Sequence, residues 1–324
     1  MSSPVAPSSR GELLHDTCQT QGESSGWANQ SRGIGNFILK AAERNPDTPV
    51  HFFISSGGNA GLAAVLAAQT LGHPCSVVVP TSCKPYMIAK LKVAGAHEVV
   101  QHGASWREAD AHLKEVVMKK AHEQSGVKGV YVPPFDGEDI WDGAATMVEE
   151  WEKQLGVLEG KEKAAADVVI CSVGGGGLFS GLCQGIEASS SKTQIIAVET
   201  KGADSLNQSV KAKYLVTLPG ITSIATSLGA TQVCSTALAY ALEDNVSSIV
   251  VTDKEAVSAC LMFAEEERML VEPACGASLA VIYGDMLKRV VEDVREDMKV
   301  IVVVCGGSTV GLEMLMKFKG EFEL

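Results

Sequence analysis

The stretch DVVICSVGGGGLFSGLCQGI, residues 167–186, joins a β-branched run to an apolar segment through four consecutive glycines. A strand that ends in glycine and leads into a helix is typical of α/β proteins with parallel sheets. Four glycines let backbone N–H groups converge, and the start of a helix adds the positive end of its dipole. The stretch therefore predicts an anion site suited to a phosphate. A tight turn without a ligand is the alternative, although four glycines make such a turn entropically costly.

The same alternation of strand and helix patterns extends over most of the chain. Amphipathic stretches at Asn59–Leu71, Lys84–Ala94, Trp106–Glu123 and Lys254–Arg268 predict helices. Between such stretches lie short β-branched runs at 50–56, 75–80, 97–103, 130–134, 167–177, 194–200, 247–253 and 299–307. Near-continuous apolar strands between helices predict parallel sheets that are covered on both faces.

We expect an α/β fold with two parallel-sheet domains, a smaller one at 32–144 and a larger one at 145–324. The charged, glycine-interrupted stretch Lys153–Ala166 is the expected connection between the units. Residues 1–31, rich in Ser, Gln and Gly, follow neither a helical nor a strand period, and we expect this segment to be poorly ordered.

Composition excludes several classes of function. The chain has 324 residues, 46% of them hydrophobic, and a net charge of −12 without a basic stripe, so a nucleic-acid partner is not expected. No apolar run reaches the roughly 18 residues of a membrane span. Nine scattered cysteines without C-x-x-C and a start without a secretory signal favour a reducing, cytoplasmic location. All the histidines lie between His15 and His122, so a site in the C-terminal half uses other chemistry.

Several predicted strands end in small or polar residues, and the carboxyl ends of parallel strands are where ligands gather. Ser55–Gly61 can hold a carboxylate at a helix start, or it can be an ordinary capped helix. Cys305 can face a ligand, although a buried structural cysteine is the commoner case. Glu272 can be a surface acid or an acid that faces the site, and composition leaves both open.

The predicted phosphate site does not match the common nucleotide fingerprints. From Gly174 the third position of G-x-G-x-x-G is Phe179, and from Gly176 the second is Leu178, so the dinucleotide pattern fails. A P-loop motif and the G-x-S-x-G elbow of hydrolases are also absent. These failures count against a nicotinamide oxidoreductase and favour a cofactor that carries a single phosphate.

Eight segments in order resemble the fold-type II pyridoxal-phosphate enzymes (the tryptophan-synthase-β-like group), and most closely the eukaryotic L-serine dehydratases. The segments are RGIGNFI (32–38), SSGGNAGLAA (55–64), VYVPPFDGEDIWDG (130–143), SVGGGGL (172–178), IAVETKGADS (196–205), ITSIATSLGA (221–230), LVEPACGASLA (270–280) and VVVCGGS (302–308).

The resemblance implies a pyridoxal 5′-phosphate cofactor and an amino-acid substrate, with the following residue roles. The cofactor phosphate would lie at Gly174, Gly175, Gly176 and Gly177, the ring hydroxyl at Asn59 and the ring nitrogen at Cys305, with Pro134 lining the pocket. Ser55 and Ser56 would bind the substrate carboxylate. A monovalent cation, K⁺ in this group, would lie at Glu199, Ala203, Leu228 and Ala230. A homodimer is implied as well.

One position departs from the family pattern S-x-S/G-F-K-x-R-G-I-G, in which the lysine forms the Schiff base. Aligning the RGIG motif places Gln30 at the position of that lysine. The side-chain amide of glutamine cannot form an imine and is not a base near neutral pH. Lys40 lies too far along the helical pattern to replace it. Two explanations stay open: a lineage that has lost catalysis, or an N-terminal segment from an altered transcript or gene model. The abrupt mismatch before residue 32 favours the second.

The resemblance therefore implies β-elimination of L-serine, and of L-threonine as a second substrate, to pyruvate or 2-oxobutanoate and ammonia in amino-acid catabolism and gluconeogenesis. Gln30 implies that this chain is impaired. The alternative is a catalytically inactive protein that binds pyridoxal phosphate or an amino acid without turnover.

Overall fold

The computed structural model describes residues 28–125 and 127–324, and the side chains of residues 28–30, 124 and 125 lie outside that description. Within these residues, helices flank two four-stranded sheets whose strand pairs are all parallel. The predicted α/β class with two parallel sheets is thus confirmed. The expectation of poor order for residues 1–31 falls mostly outside the described residues; the part inside them, 28–31, belongs to the first helix.

The first sheet has the strand order β3-β2-β1-β4. Its strands are β1 (Val50–Ile54), β2 (Cys75–Val79), β3 (Glu98–Gln101) and β4 (Lys128–Tyr131). Its helices are α1 (Ala28–Glu43), α2 (Asn59–Thr70), α3 (Pro85–Val93), α4 (Trp106–His112), a π-helical turn (Leu113–Val117) and α5 (Met118–Ser125). The run CSVVV of β2 is buried throughout, as expected for a parallel sheet covered on both faces.

The second sheet has the strand order β7-β6-β5-β8. Its strands are β5 (Val168–Ser172), β6 (Gln194–Thr200), β7 (Val246–Val251) and β8 (Val300–Val302). The surrounding helices are α6 (Glu138–Leu158), α7 (Gly177–Ser189), α8 (Ser205–Ala212), a 3₁₀ turn (Thr226–Leu228), α9 (Ser235–Ala241), α10 (Asp253–Glu267), α11 (Pro273–Tyr283), α12 (Leu287–Val290) and α13 (Leu312–Glu321).

Two predicted segments differ from the structure. The expected connection Lys153–Ala166 is helical as far as Leu158, because Leu155 is buried in the second core and offsets the helix-weakening Gly156. The single helix expected at 106–123 is interrupted by the π-helical turn. The proposed domain boundary after residue 144 lies inside α6 and stays a prediction.

Helices α1 and α6 join the two halves of the molecule. Ile34 and Ile38 of α1 are buried in the core of the first sheet, whereas α6 contributes Trp151 to the core of the second. Ion pairs connect α1 and the adjoining Arg44 with α6: Arg32 with Glu150, Arg44 with Asp139, and Lys40 with both Asp139 and Asp142. Among the described helices, none combines the length and apolar character that a membrane span requires.

Candidate functional site

A cleft of about 1150 Å³ opens between the two sheets, at the carboxyl ends of their strands. From the first sheet it is lined by the residues that follow β1, Ser55–Asn59, and by Pro134 after β4. From the second sheet it is lined by Gly174–Gly177 after β5 and by Cys305 after β8. The fold thus brings together in one cavity the residues that the sequence assigns to a cofactor and a substrate.

The four glycines form the turn between β5 and α7. Gly176 has φ 98°, a left-handed conformation that favours glycine. A Cβ atom on Gly175 would lie 2.2 Å from the ring of Phe135, so the loop also needs glycine for its close approach to that ring. The first N–H groups of α7 have no acceptor within their own helix, and they begin where the loop lines the cleft. This donor set suits a phosphate.

Asn59 begins α2 at the edge of the cleft and is 8% exposed. Its Nδ2 donates to Oε1 of Glu272 at 3.0 Å, and its Oδ1 accepts from the N–H and the hydroxyl of Ser308 at 3.1 and 2.7 Å. These contacts join the start of α2 to the start of α11 and to the loop after β8, so Asn59 is held by both halves of the protein.

Cys305 is partly exposed and lines the cleft next to a second thiol, that of Cys275. The N–H of Cys305 donates to Sγ of Cys275 at 3.2 Å, and that Sγ donates to the carbonyl of Gly306 at 3.3 Å. A side-chain hydrogen bond with Cys305, together with burial, raises the pKa of the Cys275 thiol, which therefore stays protonated. The thiol at the end of β8 therefore suits the uncharged ring nitrogen of a bound ligand, which needs no carboxylate beside it.

The two serines predicted to bind a substrate carboxylate differ in orientation. Ser55 is fully buried, and its hydroxyl donates to Oδ1 of Asp110 at 2.8 Å, so its one proton is already used. Ser56 is partly exposed at the cleft and its hydroxyl accepts from the N–H of Gly58 at 3.3 Å. The sequence analysis missed Asp110, because a single aspartate on an amphipathic helix carries no distinguishing signal.

The four residues predicted to hold a cation lie on two adjoining segments. Glu199 is fully buried, and burial raises the pKa of its carboxyl to about 8. Its two oxygens accept hydrogen bonds from the backbone N–H groups of Leu206 at 2.8 Å and Asn207 at 2.7 Å. Ala203 is also buried, whereas Leu228 and Ala230 line the cleft. Within residues 28–125 and 127–324, no cluster of three His, Cys, Asp or Glu side chains is placed to hold a metal ion.

The sequence left open whether Glu272 is a surface acid or an acid that faces the site, and in the structure it faces the site. This residue precedes α11, is 4% exposed and lines the cleft. Burial raises the pKa of its carboxyl, while hydrogen bonds from Thr309, Ser227 and Asn59 oppose that rise.

Lysine is scarce around the cleft. Lys40, considered as a replacement for the family lysine, pairs with Asp142 at 2.5 Å and does not line the cavity. Lys84 lines the cleft but is exposed. Gln30 lies in the first turn of α1 by its backbone, and its side chain is outside the described residues.

Comparison with known proteins gives a consistent result. A family model described as pyridoxal-phosphate dependent enzyme matches residues 21–306. An L-serine dehydratase of Saccharomyces cerevisiae is 42% identical over 299 residues, covering 89% of this chain and 86% of the relative. The catabolic L-serine/threonine dehydratase of the same species is 40% identical over 290 residues, covering 86% and 79%. The crystal structure of a fungal L-serine ammonia-lyase from Rhizomucor miehei superposes with a TM-score of 0.81 at 31% identity, covering 92% and 90%.

Proposed function

The chain belongs to the family of pyridoxal-phosphate dependent enzymes, and on that premise we propose that its cleft binds pyridoxal 5′-phosphate and L-serine for ammonia-lyase chemistry. L-Threonine is a second substrate, as the name of one yeast relative suggests. One observation carries the proposal: residues from both sheets with the right donor chemistry, Asn59, Gly174–Gly177 and Cys305, line a single cavity.

Each part of the cofactor has a matching group in the cleft. The N–H groups of Gly174–Gly177 and the start of α7 hold the phosphate, and Pro134 lines the pocket. An amide N–H of Asn59 would donate to the ring oxygen. The thiol of Cys305 would lie at the ring nitrogen and would impose no charge on it. When bound, pyridoxal phosphate supplies an electron sink for bond cleavage at the α-carbon of an amino acid.

The substrate carboxylate lies against the loop after β1. The Ser56 hydroxyl serves as a donor there. Ser55 contributes through its backbone N–H, because its hydroxyl proton is directed to Asp110. Both serines thus contact the substrate carboxylate, Ser55 through its backbone and Ser56 through its side chain.

Gln30 limits turnover in this chain. Its amide cannot take up the α-proton near neutral pH, and loss of a positioned proton acceptor typically costs about 10²–10⁴ in rate. The same residue favours a second candidate function, in which the chain binds the cofactor or an amino acid without turnover.

The deciding experiment titrates purified protein with pyridoxal phosphate and then adds L-serine. We expect a saturable change in visible absorbance and slow formation of pyruvate. Cys305→Ala should change the absorbance of the bound cofactor, whereas Cys183→Ala, a buried cysteine on α7 outside the cleft, should not. Failure to bind the cofactor contradicts the proposal, and binding without any pyruvate supports the second candidate.

Further properties rest on the family resemblance. A monovalent cation, K⁺, beside Glu199 would balance the negative charge of this carboxylate, whose ionised form is otherwise destabilised by burial. Carbonyl groups of Ala203, Leu228 and Ala230 would complete the coordination. We also expect a homodimer in the cytoplasm, which sedimentation and cell fractionation can test.

A further inference from the structure

The carboxylate of Glu272 lies among neutral hydrogen-bond donors. It accepts from Nδ2 of Asn59 at 3.0 Å, from the hydroxyl of Thr309 at 2.5 Å and from the side chain of Ser227. Within residues 28–125 and 127–324, no basic side chain forms an ion pair with it. A buried acid satisfied only by neutral donors acts mainly by orienting them.

The amide of Asn59 has only one orientation that fits this surrounding. Its NH₂ faces Glu272, which as a carboxylate can only accept, and its oxygen faces the N–H and hydroxyl of Ser308. A flipped amide would place two oxygens together on one side and direct its NH₂ at the backbone N–H on the other. Glu272 therefore ensures that Asn59 presents N–H groups, and not a carbonyl, on its Glu272 side.

Glu272 also fixes the loop that carries the candidate ring-nitrogen contact. Its backbone N–H donates to the carbonyl of Gly306 at 3.0 Å. Gly307 has φ 116°, and a Cβ atom there would lie 2.2 Å from the carboxyl carbon of Glu272. The loop is thus packed directly on the carboxylate, two residues beyond Cys305.

We propose that Glu272 is a positioning residue: it holds the Asn59 amide as a hydrogen-bond donor to the cofactor ring oxygen and holds the loop of Cys305 in register with it. This inference rests on the proposed function, because it assumes that Asn59 contacts the ring. It assigns to Glu272 no contact with substrate or cofactor.

The test is a double-mutant cycle on pyridoxal phosphate affinity, measured by absorbance and by quenching of tryptophan fluorescence. Glu272→Leu removes the acceptor and should weaken binding roughly tenfold or more. Glu272→Gln should remain within roughly threefold of the unsubstituted protein, because its carbonyl still accepts from Asn59 while Thr309 rotates to accept from the new N–H. In an Asn59→Ala background, Glu272→Leu should cause a clearly smaller loss, because only its support of the Cys305 loop is then removed.

Thermal unfolding of the cofactor-free variants shows whether each of them folds. Glu152→Leu, a buried glutamate of α6 outside the cleft, is the matched control and should leave the affinity unchanged. Equal losses from Glu272→Leu with and without Asn59 overturn the positioning role, as does an affinity that Asn59→Ala leaves intact. Absence of binding by the unsubstituted protein instead overturns the proposed function and removes the premise of this assignment.

Discussion

Glu199 is a buried carboxyl whose ionisation should affect the stability of the fold. Its pKa is about 8 in the folded protein, against an ordinary value of 4.5. The folded state therefore holds the proton more tightly than the unfolded state, and the free energy of unfolding falls as pH rises between these two values. A cation beside the carboxylate would favour the charged form and remove this dependence.

In a buffer whose only cation is tetramethylammonium, we expect the melting temperature to fall by on the order of 5 °C between about pH 5 and about pH 8, relative to Glu199→Gln. Added KCl should abolish most of the difference. Differential scanning fluorimetry across pH measures it. A pH profile shared by the variant and the unsubstituted protein, with or without K⁺, would contradict a cation site at Glu199.

At position 30, a lysine alone is expected to restore little activity. Gly26, Ala28 and Asn29 also differ from the family pattern, so the new amine would lack the surrounding segment that positions it. Gln30→Lys should raise the rate less than about tenfold, although a positioned proton acceptor typically contributes roughly 10²–10⁴ in rate. Pyruvate release from L-serine measures this, with Ser31→Lys as control, and substantial rescue by Gln30→Lys alone would refute the expectation.

Among the elements, the glycine loop between β5 and α7 combines two separate constraints. Gly176 has a positive φ, and a Cβ atom there would lie 2.5 Å from Cβ of Ala237. Gly160 has φ 65° with open space around it, so it isolates the backbone effect. Comparing alanine at the two positions separates conformational strain from close packing.

We expect Gly160→Ala to lower the free energy of unfolding by about 1–2 kcal/mol, the cost of a left-handed L-residue. Gly176→Ala should add a further ~1–3 kcal/mol from overpacking and should weaken binding of pyridoxal phosphate. Urea denaturation and a cofactor titration test both effects. Equal losses at the two glycines would show that the Ala237 contact is easily relieved.

The junction of α4 with β1 and β4 depends on Asp110. One of its oxygens accepts from the hydroxyls of Ser55 and Tyr131, each at 2.8 Å, and the other accepts from Lys114 at 2.7 Å. Burial, with a contribution from Asp110, raises the pKa of Tyr131, so the phenol remains a donor.

Asp110→Ala should therefore destabilise the protein by about 2–4 kcal/mol, because the buried Ser55 hydroxyl and the half-buried Tyr131 hydroxyl lose their acceptor. Asp110→Asn, which retains one acceptor oxygen, should lose less. Urea unfolding curves provide the measurement. A loss for Asp110→Ala no greater than that of Lys114→Met, which removes only the exposed ion-pair partner, would mean that the buried hydrogen bonds contribute little.

Local sequence patterns were sufficient to predict the strands and the glycine loop, because β-branched runs and glycines determine backbone conformation over only a few residues. The eight predicted runs each overlap a strand, although β4 begins two residues before its run and β7 one residue before its run, and the loop at Gly174–Gly177 lines the cleft. Tertiary packing decided the rest. The continuation of α6 past Lys153 depends on buried Leu155, and the burial of Glu272 depends on contacts with Asn59 far along the chain. Neither leaves a local pattern.

At the scale of the whole molecule, α3 of the first sheet closes the cleft against the loop after β8. The hydroxyl of Tyr86 donates to the carbonyl of Thr309 at 3.1 Å, and Nζ of Lys90 donates to the carbonyl of Ser308. Both side chains are exposed, so these contacts contribute little to global stability but restrain the opening of the cleft.

The double variant Tyr86→Phe/Lys90→Met should speed hydrogen exchange of residues 303–310 several-fold while lowering the free energy of unfolding by less than about 1 kcal/mol. Lys92→Met, on the same helix, is the control. Exchange measured by mass spectrometry reports the local effect. Unchanged exchange in the double variant would indicate that the contacts of Asn59, Glu272 and Cys275 are sufficient to hold the loop.

The pairing of β5 with β8 has a consequence for the newly made protein. Val168 pairs with Val300, so the ribosome must synthesise the whole intervening stretch before this edge of β5 finds its neighbour. At ~5–20 residues per second, the wait is on the order of ten seconds. During that time the apolar strand that leads into the glycine loop has an open edge, which other nascent chains can pair with. Protection by a chaperone during synthesis is therefore expected to matter more for this protein than its final stability suggests.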